Sequence, residues 1–286
     1  MRSGFRTPTT RVRSPLTRIR STALTGAVVA TLVGAAPVAL RAQVPFALDT
    51  LEVSVDSRLT GHVGAVDVIT AERLRVLPVR SLEEAIRWSL GVDFQERSPA
   101  QADLSIRGSS FEQVLVLVDG VRMSDPQTGH FDLDLAVPLN QVERVEVLRG
   151  PASALYGADA MGGVVNVVTR DSDTSLRAGL EGGTWGTARI SVGGGLRGSG
   201  GSSLQAGGQL ARSDGHRPGT DYETLLLHAT AARPLGERTL SAELGLSRRD
   251  FGARDFYAPY PSFERTRSYD ASLRMTGPWV GALDLE

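Results

Sequence analysis

From about Ser175 onward apolar and polar residues alternate one for one, in segments of roughly ten residues separated by turns. Successive side chains of a strand point to opposite faces, so each segment carries one apolar and one polar face. Leu176, Ala178 and Leu180 alternate with Arg177, Gly179 and Glu181, and Ile190, Val192 and Leu196 with Arg189, Ser191, Gly193 and Arg197. Leu204, Ala206, Gly208 and Leu210 face away from Gln205, Gly207 and Gln209. Leu240, Ala242, Leu244 and Leu246 oppose Ser241, Glu243 and Ser247, and Tyr269, Ala271, Leu273 and Met275 oppose Asp270, Ser272 and Arg274. Leu225, Leu226 and Leu227 follow without a break, and their faces stay ambiguous.

Two architectures alternate in this way. A soluble sandwich buries the apolar face against a second sheet and fills it with large residues. A membrane barrel turns that face to lipid and holds charges in a wet interior. The apolar face here is modest and rich in alanine and glycine, while Arg177, Arg189, Glu243 and Arg274 sit on the other, which favours the barrel. Beyond the N-terminus no apolar run of about 18 residues exists, so any entry into a membrane must be as strands.

The N-terminus reads as a secretory signal over residues 1–42. Arg2, Arg6, Arg11, Arg13, Arg18 and Arg20 precede an apolar run from Ala23 to Leu40, and small residues near Ala42 suit cleavage before Gln43. A basic nucleic-acid tail and a transit peptide are the rivals, and neither needs the apolar run. Without those residues, 24 basic side chains face 32 acidic ones, a formal charge of −8. Such a chain has no general attraction for phosphate backbones, and nucleic acid is not an expected partner.

Residues 43–61 look extended. Pro45 opposes helix, and Leu51, Val53 and Val55 alternate with Glu52 and Ser54. The strip can add to another protein's sheet edge or form the first strand of the next domain.

Residues 62–170 mix helix and strand. A strand over Val63 to Ile69 leads to Thr70, which can cap a short helix ending before Pro78. Ser81 and Glu84 form a capping box for a second helix of two to three turns, with Leu82, Ala85, Ile86 and Ser89 on one face and Gly91 as a left-handed stop. Strands are expected at Val92 to Gln95, Asp103 to Arg107, Val114 to Val118, Val142 to Leu148 and Val164 to Thr169. The uniformly apolar Val114 segment belongs inside a sheet, and Asp119-Gly120 after it suits a tight turn. Residues 121–140 read as a long loop, a feature usually functional or mobile.

These residues resemble a known family, the TonB-dependent outer-membrane receptors. Asp49, Thr50, Leu51, Glu52 and Val53 resemble the TonB box, which lends its backbone to the periplasmic energy-coupling protein. Ile106-Arg107-Gly108 and Val114 through Asp119-Gly120 to Arg122 resemble the middle of the plug. Val142 to Arg170, VERVEVLRGPASALYGADAMGGVVNVVTR, resembles the plug's terminal signature, with Arg149, Gly150, Pro151, Tyr156, Gly157, Gly162, Gly163 and Asn166 within it. Physically, Pro151 fits the start of a short helix, Gly157 can end it, and Gly162-Gly163 allows close backbone passage.

The resemblance implies a signal peptide (1–42), a TonB box and linker (43–61), an α+β plug (62–170) and antiparallel transmembrane strands of an incomplete barrel (171–286). It implies export to the outer membrane of a Gram-negative-type envelope, with outer-membrane lipid around the strands. Partners would be TonB with its inner-membrane energising complex and a scarce metal chelate, a ferric siderophore or cobalamin. Met123, Ser124, Asp125, Gln127, Thr128 and His130 are expected to touch that ligand, with a structural crossover as the alternative reading of the loop. So short a stretch before the box leaves no room for a signalling domain. The 116 residues after Arg170 supply only six or seven of the 22 strands such a barrel needs. A non-transporting binding or adhesion protein with a plug-like module remains the other reading.

No enzyme is expected. The chain has neither cysteine nor lysine, and no nucleophile elbow or phosphate loop. His62, His130, His216 and His228 lack metal-ligand spacing and read as surface or loop residues. Asp132 and Asp134 read as solvated loop carboxylates. No catalytic residue, metal site or cofactor follows.

Overall fold

The structure is a computed structural model that describes residues 65–125, 128–171, 174–255 and 260–278. The expected signal segment, residues 1–42, and the expected box at Asp49 to Val53 lie outside the described residues, as does Gln127.

Five strands form the plug sheet in the order β1-β6-β7-β4-β5, with β1 at Ala65–Thr70, β4 at Val114–Val118, β5 at Val121–Met123, β6 at Val142–Arg149 and β7 at Gly163–Thr169. β4 and β7 run parallel, and every residue of both is buried, as their continuous apolar runs require. Asp119 and Gly120, both at positive φ, turn β4 into β5, so the loop expected from residue 121 begins instead with a three-residue strand.

Helix α1, Ala71–Val76, starts at Thr70, whose Oγ1 accepts from the Arg73 amide. Helix α2 spans only Leu82–Ile86, shorter than the two to three turns expected. Ser81 Oγ accepts from the Glu84 amide at 3.2 Å, while Glu84 reaches one residue further back, to the Arg80 amide at 2.7 Å. The helix tightens at its end, where Trp88 and Ser89 bond three residues back and Ser89 Oγ donates to Asp67 of β1 at 2.6 Å. Gly91, at φ +71, opens the next strand rather than capping the helix. That strand, β2 at Val92–Ser98, pairs with β3 at Gln101–Ile106 as a separate hairpin projecting from the plug.

The signature segment behaves as its glycines predict. Helix α3, Ser153–Tyr156, follows Pro151 by two residues and ends at Gly157, φ +91. A Cβ on Gly162 would collide with Ser109, and one on Gly163 with the Leu148 carbonyl and Ile106. Arg107, Gly108 and Gly150 also hold positive φ, and Arg149 donates to the Leu90 carbonyl at 3.4 Å. Tyr156 packs against a small cluster around Leu148 and Val164. Asn166 is buried, accepting from the Gly120 amide at 3.0 Å and donating to Glu146 at 3.1 Å.

The remaining six described strands form one antiparallel sheet paired strictly in sequence order: β8 (Arg177–Gly182), β9 (Ala188–Arg197), β10 (Ser203–Ser213), β11 (Tyr222–Leu235), β12 (Arg238–Gly252) and β13 (Phe263–Thr276). The apolar face is bare: Leu180 is 79% exposed, and Tyr269 and Leu273 are each 73%. The polar face instead packs on the plug, burying Arg189, Gln205, Gln209, His228, Glu243 and Arg249. A sandwich would bury the opposite face, so the sheet is of the membrane-barrel type. Leu226 resolves the ambiguous triplet by pointing to the plug, with Leu225 and Leu227 outward. His228, expected at a surface, is buried and bonded to Glu243 at 3.0 Å. It lies in the sheet's polar row, a row that a second domain covers.

Gln141 of the plug keys into this wall. Its amide donates to the Ala206 carbonyl at 3.2 Å and lies over Gly193 and Gly207, where a Cβ on Gly207 would come within 2.6 Å of its side-chain carbons.

Candidate functional site

The sheet has two unlike ends. At one end the β9–β10 and β11–β12 connections have five and two residues, while at the other, the long-loop end, the β8–β9, β10–β11 and β12–β13 connections have five, eight and ten. Outer-membrane barrels put short turns in the periplasm and longer loops outside. The tip of the β2–β3 hairpin and the plug segment after β5 both rise toward the long-loop end, where Ala100 packs on Phe251 and Ala253.

The two plug elements bind each other. Gln101 Nε2 donates to Asp103 Oδ1 at 2.9 Å and to the His130 carbonyl, and His130 Nδ1 lies 3.0 Å from Asp103 Oδ2. The His130 ring stacks on Phe111 at 4.3 Å between centroids. Asp125 accepts from the Thr128 amide and its own amide donates to Asp132, each at 3.0 Å. Of the expected ligand contacts, Asp125, Thr128 and His130 therefore shape the loop, and Met123 packs against the plug core. Ser124 is exposed.

One barrel residue gathers the plug side of this region. Arg249 of β12 is buried, with Nη1 donating to Glu83 at 3.1 Å and to the Ala100 carbonyl at 3.0 Å. Nη2 donates to the Leu133 and Leu135 carbonyls, both at 3.4 Å, and Nε lies 3.7 Å from Asp134 Oδ1. Asp134 also accepts from Thr266 of β13 at 2.9 Å. Helix α2, the hairpin tip and the loop after β5 thus converge on a single guanidinium.

Asp132 and Asp134 are not the solvated carboxylates expected. Burial pushes each up to about 6, against the lowering effect of the Asp125 amide on Asp132 and of Arg249 and Thr266 on Asp134. Both acids hold their proton more tightly folded than unfolded. Their stabilising contribution is therefore present in full below the ordinary carboxylate range and lost as pH rises through about 6. Urea unfolding of the plug within the receptor should give a higher midpoint at pH 5 than at pH 7.5. Asp134→Asn, which mimics the neutral acid, should remove about half of that difference, because Asp132 carries a shift of the same size. A midpoint independent of pH over this range would contradict the assignment.

Between the hairpin tip and the long-loop end of β8–β12 lies a cavity of about 220 Å³. Trp185, His216, Tyr222 and Arg249 line it from the barrel strands and their connections, and Glu84 and Glu96 from the plug. Trp185 meets His216 edge to face at 6.1 Å. Aromatic faces beside a few charged groups suit a partly polar ligand group. The sequence reading missed this wall and the hairpin tip. Pro99 between two alternating runs marks the tip, and Arg249 occupies an inward position of β12.

Residues 59–164 match the model of the TonB-dependent receptor plug domain. Among curated proteins, the chain is 34% identical over 131 residues to a vitamin B12 transporter BtuB of Vibrio cholerae, which covers 44% of this chain and 21% of that protein. It is also 34% identical over 145 residues to the transporter of that name from Photobacterium profundum, covering 48% and 23%. The chain thus spans between a fifth and a quarter of the length of these relatives. Among solved structures, a ferric enterobactin receptor mutant from Pseudomonas aeruginosa superposes with a TM-score of 0.59 at 25% identity, over 77% of this chain and 40% of that one. The siderophore receptor PirA from Pseudomonas aeruginosa gives 0.54 at 27%, over 75% and 39%. Residues 59–164 thus match the plug domain of the TonB-dependent receptors, and with the barrel-type sheet packed on that plug the chain is similar in fold to part of such outer-membrane receptors.

Proposed function

We propose that this chain contributes the plug and adjoining wall of a receptor for active uptake of a scarce metal chelate, a ferric siderophore or cobalamin. The observation that carries the reading is the plug itself, seated by Arg249 and Gln141 on the polar face of a lipid-facing sheet. A wall occupied in this way passes a bulky solute only after the plug is moved, and movement against such contacts needs work. Asp49 to Val53 would receive that work by adding, as an extended strip, to the edge of a sheet in TonB. Ligand would first settle at the long-loop end, against Trp185, His216, Tyr222, the β2–β3 tip and Ser124.

In the full-length receptor, Leu51→Pro should remove an amide from the strip and break its pairing. Cells should then bind radiolabelled cyanocobalamin or ferric enterobactin, whichever the parent takes up, with unchanged affinity and accumulate it at least about tenfold more slowly. Unchanged accumulation would remove the box assignment. Accumulation of neither class by the parent receptor would remove the proposed cargo.

A further inference from the structure

The outward face of the sheet is apolar along its middle rows of cross-strand partners, and its charges gather toward the long-loop end. Leu180, Ile190, Leu210 and Leu225 form one such row, and its next two members are Arg248 and Arg267, directly opposite each other. Two cations side by side repel, and a cation on the lipid face is costly unless it lies near a headgroup. The row above continues the charge, with Arg212 opposite Glu223, then Asp250 and Arg265. Asp250 is already shared, bonded by Arg248 Nε at 2.8 Å and by Arg265. Arg267 pairs with no carboxylate among the described residues. Four arginines therefore stand against two acids. Along β13 the exposed outward residues run Phe263, Arg265, Arg267, Tyr269, so the basic pair is bracketed by aromatic rings of the kind that settle at a membrane interface.

Directly below the arginine row the wall changes character. Gly208 and Ala229 leave a depression among Leu227, Leu244, Leu246 and Tyr269, open to the outside, with a volume of about 720 Å³. The arginines lie at the long-loop end, hence toward the outer leaflet. Anionic groups above and hydrocarbon below describe one amphipathic molecule.

We propose that this face of β10–β13 holds a phosphorylated lipid of the outer leaflet, its phosphate on Arg248 and Arg267 and its acyl chains in the depression. Guanidinium groups pair with phosphate oxygens in bidentate fashion, and a phosphate between the two arginines turns their repulsion into a clamp. A free phosphate would satisfy the arginines and make no use of the hydrocarbon surface. The proposal needs only that the sheet sits in the outer membrane, and holds whatever the receptor transports.

The test uses the full-length receptor in mild detergent, with bound lipid read by native mass spectrometry after addition of diphosphorylated lipid A. The parent should retain the lipid, and Arg248→Gln/Arg267→Gln should retain it at least about tenfold more weakly. Dephosphorylated lipid A should bind the parent as weakly as the double variant binds the intact lipid, and millimolar inorganic phosphate should not displace it. Ala229→Trp, which fills the depression and leaves the arginines in place, should also weaken retention, and it keeps the test open if the double variant fails to assemble. Equal retention by parent and variants would reduce the surface to ordinary bilayer contact. Displacement by inorganic phosphate would make it a phosphate site and overturn the lipid.

Discussion

Replacing Arg249 with methionine in the full-length receptor is expected to loosen the plug by about 3–5 kcal/mol, the range for a buried ion pair broken from one side. The substitution keeps much of the side-chain volume, so packing is not the cause. It leaves Glu83 and Asp134 without their cation and the carbonyls of Ala100, Leu133 and Leu135 without this donor. Arg249→Lys should recover only part of the loss, because one ammonium with three protons cannot span five acceptors that a planar fork reaches from two edges. Hydrogen exchange should show the effect where the contacts are, speeding up around residues 81–86, 98–102 and 133–137 and sparing β6 and β7. An unchanged urea midpoint with unchanged exchange in those three segments would mean that the junction contributes nothing net.

Gly163→Val should be comparably severe through a different cause. Gly163 begins the central strand of the plug sheet, paired with Val114 on one side and Arg149 on the other. A Cβ there would stand 2.8 Å from Ile106 Cδ1 and closer still to the Leu148 carbonyl oxygen. The carbonyl is fixed by its strand, so the clash cannot relax by a rotamer change. Overpacking of this kind costs about 1–3 kcal/mol or more, and valine's branches put the value at the upper end. The expected readout is a plug that becomes sensitive to added protease while the surrounding barrel keeps its heat-resistant migration on gels. A plug as protease-resistant as the parent's would show that β6 can shift aside.

Much of this architecture is written locally. A two-residue rhythm, a threonine before a helix, Asp119-Gly120 between strands and glycines at close approaches each act over a few residues, and each appears where its chemistry places it. Other features depend on contacts between segments that no local pattern links. Asp134 looks like any loop acid until Arg249 and Thr266 close over it, and His228 looks exposed until the plug covers its row. Helix α2 ends early because Ser89 is drawn to Asp67, a partner 22 residues away that no periodicity reveals. The candidate ligand loop shows the same limit. His130 and Asp125 carry suitable chemistry, yet their partners are Asp103, Phe111 and Thr128, which makes them the loop's frame. The aromatic wall opposite comes from turns between strands, whose meeting with the hairpin tip is a product of the fold.

Gln141 has a bearing on how such a plug could be displaced. Its side chain occupies a notch made by two bare backbone positions on neighbouring strands, with the rim formed by larger residues on either side. The same face carries Gln205 and Gln209 along β10 and Arg177 and His228 across the strands, so moving the plug as one body in either direction would drive that amide into a larger side chain, whereas unravelling the chain around it would not. Traction on the N-terminus would therefore clear the passage more readily by peeling the plug apart than by shifting it whole.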